Sequence, residues 1–115
     1  MSKEMAALML ALAMARVLAG ETPGCEIEAK IGVMNVMQNR TAAGIEGGWF
    51  GDAAPTGADV AVAWLGVQGL LPRLAASEIY AIGPGDKAKM AWLWGRSPTM
   101  RWVCRGTFIE IYDGP

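Results

Sequence analysis

The chain has 115 residues, with ten Lys or Arg side chains against eleven Asp or Glu, so its formal net charge is -1. This length is enough for one hydrophobic core, and residues 1–115 are predicted to form a single domain. Apolar residues make up 53% of the sequence and charged residues 18%, which excludes intrinsic disorder. The balanced charge argues against nucleic acid as a partner, because nucleic-acid-binding domains carry a basic surface.

The sequence contains no histidine and only two cysteines. Without histidine, the Ser-His-Asp and Cys-His catalytic sites and His-ligated zinc are excluded. Any catalysis would then depend on carboxylates. Cys25 and Cys104 are too few for a thiolate metal site, and the sequence leaves open whether they form a disulfide or are small buried residues.

The first predicted helix follows Ser2, a good N-cap, and runs through apolar residues to about Leu18 before stopping at Gly20. Because this helix is apolar on nearly every side, we expect it to lie in the core. The run Met5 to Ala15 has the length of a signal-peptide core, but Glu4 lies in the preceding region, which should be purely basic, and Arg16 ends the run short of a membrane span. The sequence therefore favours a buried helix over a cleavable signal or a membrane span, and it assigns no cellular location.

The rest of the chain is predicted to be mainly helical, with a loop over residues 44–57 that contains five glycines and the Trp49-Phe50 pair. A turn signal at Arg105-Gly106 between β-branched and aromatic residues predicts a terminal hairpin. The fold class is therefore α+β, a mostly helical small domain with a short C-terminal β-hairpin. The predicted helices are Glu26 to about Ala42, Ala58 to Gly69, Leu71 to about Ile82, and Lys87 to Trp94, and the hairpin strands are Trp102–Cys104 and Thr107–Tyr112.

Glu21 differs from the other acids, most of which are expected on solvated helix faces or in turns. It directly follows the predicted core helix, and burial against apolar neighbours favours the protonated form of a carboxylic acid. A protonated carboxyl group is the general acid that cleavage of a glycosidic bond requires. The same position is also typical of a carboxylate that only caps a turn.

Residues 15–40 resemble the opening of the catalytic domain of the SleB-type cell wall hydrolases, the spore-cortex lytic enzyme family also found in phage-like lysins. The similarity rests on Gly20-Glu21, Gly24, Glu28, the apolar helix that follows, and Asn39-Arg40 at its end. Toward the C-terminus, Pro98, Trp102 and Gly106-Thr107-Phe108 are similar to the closing strand pattern of the family. Family members often carry a histidine where this chain has Thr107, and residues 41–97 match little of the family.

The resemblance implies a lysozyme-like domain that cleaves the β-1,4 bond between N-acetylmuramic acid and N-acetylglucosamine in peptidoglycan. Glu21 would be its catalytic acid and base, as in a lytic transglycosylase that needs no second carboxylate, metal or cofactor. If water is the nucleophile, as in a muramidase, a second carboxylate is expected, and Asp52 in the glycine-rich loop is the residue whose setting suits it.

Four further residues are predicted to contact the glycan or to support the site. Asn39 and Arg40 match the Asn-Arg pair of the family, for which a structural role as a bridge between helix end and loop competes with substrate binding. Trp49 and Trp102 are the tryptophans best placed to stack on sugar rings, against the alternative that they fill the core.

A second hypothesis comes from a different class of function. The high apolar content and the aromatic pair at Trp49 are also typical of a non-catalytic module that binds a glycan or a protein. The environment of Glu21 separates the two hypotheses, since a carboxylate in a cleft favours catalysis and one paired with Arg16 or Arg40 favours structure. The sequence leaves the oligomeric state open. One possibility is a homodimer whose interface covers apolar side chains that a monomer would expose.

Overall fold

The structure is a computed structural model that describes residues 1–49, 51–75 and 77–114. Within these ranges the chain folds as an α+β domain, as predicted, in which helices precede and flank a small antiparallel sheet. Phe50, part of the predicted aromatic pair, lies outside the described residues. The helices are α1 (Lys3–Glu21), α2 (Ile27–Ala42), α3 (Gly57–Val67) and α4 (Pro84–Lys89), a 3-10 helix covers Ala91–Leu93, and the strands are β1 (Glu78–Ile82), β2 (Met100–Cys104) and β3 (Thr107–Asp113).

The first three helices begin and end close to the predicted positions. The Ser2 hydroxyl caps α1 by accepting the Met5 N–H at 3.1 Å, which confirms the predicted N-cap. A reciprocal capping box between Thr56 and Asp59 starts α3. Helix α1 packs against α3, and α3 packs against α2. The core between them includes Leu18, Val33 and other apolar side chains.

The sheet contains the predicted hairpin and one strand that the sequence did not indicate. Strands β2 and β3 pair antiparallel around the turn at Gly106, whose φ is +73°, and β1 pairs with the other edge of β3. The predicted helix over Leu71–Ile82 is therefore wrong, since Tyr80 pairs with Tyr112 of β3 instead. β-Branched and aromatic residues favour a strand when a partner edge is present. The predicted helix from Lys87 to Trp94 has the wrong bounds. Helix α4 begins earlier, at Pro84, and ends at Lys89, and a separate 3-10 helix follows Met90.

The prediction that α1 lies in the core holds only for the buried face that begins at Ala11. Ala15 and Leu18 are completely buried. The N-terminal half, residues 3–12, leaves several large apolar side chains exposed to solvent. The exposed fractions are 51% for Met5, 43% for Leu8, 53% for Met9 and 44% for Leu12.

Cys25 and Cys104 form a disulfide with a Cα–Cα distance of 4.5 Å. The bond joins the turn after α1 to the end of β2 and closes a loop across a sequence separation of 79 residues. By loop-closure entropy, a crosslink over such a distance stabilises the fold by about 4 kcal/mol. Beside it, the Arg105 N–H donates to the Gly24 carbonyl at 3.4 Å, so the hairpin turn is held against the turn that follows Glu21.

Candidate active site

Glu21 is the last residue of α1, and its half-buried side chain forms part of the wall of an open cleft of about 540 Å³. Arg105 and Thr107 of the hairpin line the same cleft, as do Gly20, Pro23 and Gly24. The disulfide at Cys25 fixes the turn after Glu21 against the hairpin. The lining of the cleft therefore includes an acidic residue, a basic residue and a hydroxyl-bearing residue.

The carboxyl group of Glu21 is oriented by the glycine-rich loop. The Gly51 N–H donates to Glu21 Oε1 at 2.8 Å. This bond is possible because the loop backbone crosses the last turn of α1 at two glycines. A Cβ atom on Gly20 would lie 2.6 Å from the Gly51 carbonyl carbon, and one on Gly51 would lie 2.5 Å from the Val17 oxygen. Side chains at either position would push the loop away from Glu21.

A buried ion pair fixes the residue that follows Glu21. Lys30 Nζ of α2 donates to the Thr22 carbonyl at 2.9 Å and to Asp59 Oδ1 of α3 at 2.6 Å. Lys30 is 5% exposed and Asp59 is 1% exposed, so both charged side chains are buried. Asp59 Oδ2 accepts the Thr56 N–H and hydroxyl at 2.8 and 2.9 Å. Three helices are thus joined directly behind Glu21.

This network also sets the charge state of Asp59. Burial by itself would raise the pKa of Asp59, but hydrogen bonds from Lys30 and Thr56 outweigh burial and hold that pKa below its ordinary value of 3.8. Asp59 is therefore ionised at neutral pH. Sequence reasoning missed both Lys30 and Asp59. The Thr-x-x-Asp spacing from Thr56 to Asp59 was a signal for the cap, but the pairing with Lys30 joins positions 29 residues apart.

Arg16 and Arg40, the two arginines that could have locked Glu21 in a structural role, are engaged elsewhere. Arg16 Nε donates to Asp52 Oδ1 at 2.7 Å in a solvent-exposed ion pair, with side chains 53% and 70% exposed. Arg40 Nη1 donates to the Ile79 carbonyl at 3.0 Å. Asp52, the predicted second carboxylate, follows Gly51 directly but is not among the residues that line the Glu21 cleft, and one of its oxygens is bound to Arg16.

Arg40 and Trp49 lie together on the other side of the same loop. The Arg40 guanidinium carbon is 5.8 Å from the centre of the Trp49 ring and 5.5 Å from the centre of the Tyr80 ring. Arg40 Nη2 also reaches the Gly47 carbonyl at 3.4 Å. The guanidinium group thereby links α2, β1 and the glycine-rich loop, which is the bridging role considered for the Asn-Arg pair.

Asn39 and Trp102 are not brought to the Glu21 cleft. Asn39 is 4% exposed, and its Nδ2 donates to the carbonyls of Ala75 and Glu78 at 3.0 and 3.1 Å. Its Oδ1 accepts from Arg73 at 3.0 Å, so its polar atoms are bonded within the protein. Trp102 packs over Gly32 against the core and lines a separate groove together with Glu28 and Pro72.

Glu110 is a second acid that the fold buries, and it lies in the sheet with an exposed fraction of 3%. It is held by Lys87 Nζ at 2.7 Å, Arg101 Nε at 3.2 Å and the Tyr112 hydroxyl at 3.0 Å. Burial would raise the pKa of Glu110, but these donors outweigh burial and lower the pKa below 4.5. Glu110 is therefore an ionised structural group and is unsuited to donate a proton at neutral pH.

Comparison with known proteins adds no relative to this picture, since no family model, curated protein or solved structure matches the chain. Over residues 1–49, 51–75 and 77–114, no helix is both long and apolar enough to cross a membrane. The same part of the chain contains no group of three or more His, Cys, Asp or Glu residues that could hold a metal ion.

Proposed function

We propose that this protein cleaves the glycan strands of peptidoglycan, as a lytic transglycosylase that uses Glu21 as general acid and then as general base. The observation that carries the proposal is the setting of Glu21. Its carboxyl group is half-buried at the wall of an open cleft, and a backbone N–H that is brought close by two glycines orients it. The resemblance of residues 15–40 to SleB-type hydrolases supplies the substrate, the MurNAc-GlcNAc β-1,4 bond.

The reaction needs one carboxyl group in two protonation states. Protonated Glu21 gives its proton to the glycosidic oxygen, and the bond from that oxygen to the anomeric carbon of the muramyl residue breaks. The C6 hydroxyl of the same muramyl residue then attacks the anomeric carbon, and its proton passes to Glu21. The products are a 1,6-anhydromuramyl end and a free GlcNAc hydroxyl, and Glu21 returns to its starting form without consuming water.

A muramidase reaction would instead place a water molecule against Asp52. That alternative is less well supported, because Asp52 is 70% exposed and its Oδ1 is bound to Arg16.

The test is digestion of purified peptidoglycan sacculi by the wild type, by Glu21→Gln and by Glu26→Gln as a matched control. Glu26 is exposed and its side chain makes no capping hydrogen bond to α2, so its substitution removes one carboxylate of similar charge outside the cleft. We expect Glu21→Gln to release soluble fragments at least about 100-fold more slowly, the usual range for loss of a general acid, and Glu26→Gln to match the wild type.

Two results would contradict the proposal. Equal release of soluble fragments by the wild type and by Glu21→Gln would show that Glu21 is not the catalytic acid. No release by any of the three proteins, combined with cosedimentation of the protein with the sacculi, would favour the non-catalytic binding module.

A further inference from the structure

The disulfide joins the two segments of the chain that line the Glu21 cleft. One group of lining residues lies just before Cys25 in the sequence, and the other lies just after Cys104. The first group is Gly20, Glu21, Pro23 and Gly24, and the second is Arg105 and Thr107. The sequence contains no cysteine besides this pair. A covalent bond therefore joins the two sides of the cleft across a sequence separation of 79 residues.

The Glu21 side of the cleft is anchored without the disulfide. Thr22 is completely buried, its N–H donates to the Leu18 carbonyl at 2.8 Å, and Lys30 Nζ donates to its carbonyl at 2.9 Å. The Gly51 N–H holds the Glu21 carboxyl group at 2.8 Å. These bonds attach the end of α1 to α2 and to the glycine-rich loop, so this side stays in place when the disulfide is broken.

The hairpin side of the cleft depends on the disulfide more strongly. Arg105 and Gly106 form the exposed turn of the hairpin. This turn packs on Gly24, and its Arg105 N–H donates to the Gly24 carbonyl at 3.4 Å, which is longer than the usual N–H···O distance of about 3.0 Å. Further along β2, Trp102 packs over Gly32 against the core, and the strand is paired with β3. Loss of the disulfide would therefore free the turn while the rest of the sheet keeps its contacts.

We infer that the Cys25–Cys104 disulfide is a redox switch of the Glu21 cleft. In the oxidised protein both sides of the cleft are held together, and reduction releases the hairpin turn while the helices stay folded. The consequence for glycan cleavage rests on the proposed function, because only an assembled cleft can hold a glycan strand against Glu21. The release of the turn is a conformational property and does not depend on which substrate the cleft accepts.

The reaction that operates the switch is thiol–disulfide exchange with a dithiol. A thiolate of the dithiol attacks the sulfur of Cys25, which is half-buried, and the thiolate of Cys104, which is 7% exposed, leaves. The second thiol of the dithiol then displaces Cys25, so two electrons and two protons pass to the protein and the dithiol becomes a disulfide. Dithiols keep cysteines reduced in the cytosol, whereas disulfides form in oxidising compartments such as the bacterial periplasm. Glycan cleavage would therefore begin only in an oxidising compartment.

The structural test compares the oxidised protein with the protein reduced by dithiothreitol, by nuclear magnetic relaxation of the backbone amides. In the oxidised protein we expect order parameters of about 0.85 at Arg105 and throughout α2, the value of a rigid backbone. Reduction should lower the order parameters of Arg105 and Gly106 below about 0.6, the range of flexible segments, and should leave those of α2 unchanged. Far-ultraviolet circular dichroism should be the same in both states, because the helices stay folded.

Digestion of sacculi by the same two states measures the effect on the cleft. We expect reduction to slow the release of soluble fragments at least about tenfold, since a displacement of about 1 Å in a site can slow a reaction about 100-fold. Reoxidation should restore the rate. The double variant Cys25→Ser with Cys104→Ser is the control for the reagent, and it should digest sacculi slowly and at the same rate with and without dithiothreitol.

Three results would overturn the inference. Unchanged order parameters at Arg105 after reduction would show that the turn does not depend on the disulfide. Loss of the circular dichroism of the helices would show that the disulfide holds the whole fold rather than the cleft. A released turn with an unchanged rate of digestion would show that the turn does not control the site. If reduction releases the turn but neither state digests sacculi, the conformational switch is confirmed and the proposed function is overturned.

Discussion

The two halves of α1 have similar apolar compositions but very different surroundings. Residues 13–21 pack into the core, cross the glycine-rich loop at Gly20 and end at Glu21. Residues 3–12 leave Met9 and other large apolar side chains about half exposed. The apolar sequence of α1 predicts that the whole helix is buried. A side chain is buried, however, only where another segment of the chain packs against it. In the C-terminal half, the loop backbone packs against the helix at Gly51, and the buried ion pair of Lys30 and Asp59 lies behind Thr22.

The largest effect is expected from removing that ion pair at Lys30. Lys30→Met should lower the free energy of unfolding by about 3 kcal/mol or more at pH 7, because it leaves the ionised Asp59 buried without its cation. Urea unfolding measures this loss. The double variant Lys30→Met with Asp59→Leu is the control, and it should recover much of the lost stability, since no unpaired charge remains.

The effect of Lys30→Met should depend on pH in a defined direction. In the wild type the pKa of Asp59 is lowered, so its contribution to stability is present above pH 3.8 and is lost as the pH falls through the lower, folded-state pKa. In the variant, burial raises the pKa of Asp59 and acid protonates it in the folded state. The stability difference between the two proteins should therefore narrow as the pH falls toward 3.8. A constant difference would contradict this account of Asp59.

A smaller loss of stability is expected at the glycine crossing. Gly20→Ala places a methyl group against the backbone of Gly51 and should lower the free energy of unfolding by about 2 kcal/mol. The rate of sacculus digestion should fall further than the loss of folded protein can explain, because the loop that orients Glu21 must move. Gly57→Ala is the matched control, since a Cβ there meets nothing within 4 Å, and it should be neutral or slightly stabilising. Equal stability and equal digestion rates for Gly20→Ala and Gly57→Ala would contradict the claim that close backbone packing at Gly20 positions the loop.

The smallest effect is expected in the N-terminal half of α1. Met9→Gln replaces a side chain that is 53% exposed and should change the free energy of unfolding by less than about 0.5 kcal/mol. Ala15→Gln introduces the same side chain at a position with 0% exposure and should cost about 2 kcal/mol or more. Thermal unfolding of the two variants checks the contrast, and a large loss from Met9→Gln would show that residues 3–12 are covered in solution.

The elements that the sequence predicted correctly are those whose signals are local. Ser2 marks the start of α1, Gly106 marks the turn of the hairpin, and both signals work within a few residues. Strand β1 was predicted as helix, because its identity depends on an edge of β3 that lies about 30 residues later in the chain. Pairing over that distance leaves no periodic signal in five residues.

The residues of the candidate site also divide into those with a local sequence signal and those whose position depends on distant parts of the chain. Glu21 could be selected from its place after an apolar helix, but its partner Gly51 lies 30 residues away and acts through a backbone N–H. A backbone donor gives no residue-type signal, and only the glycines on both sides of the contact indicated close approach. Trp102 was predicted from its residue type and Asn39 from its match to the Asn-Arg pair of the SleB-type family, and their positions depend on packing that the sequence does not reveal.

The most direct test of the central claim is the chemistry of the ends that the wild-type protein produces. Sacculi digested in water enriched in heavy oxygen, with Glu21→Gln in parallel, give fragments whose ends mass spectrometry can identify. A single glutamate acting as acid and base predicts 1,6-anhydromuramyl ends that carry no heavy oxygen and that are absent with Glu21→Gln. Reducing ends that carry heavy oxygen would contradict the single-glutamate mechanism, because they show that water attacked the anomeric carbon.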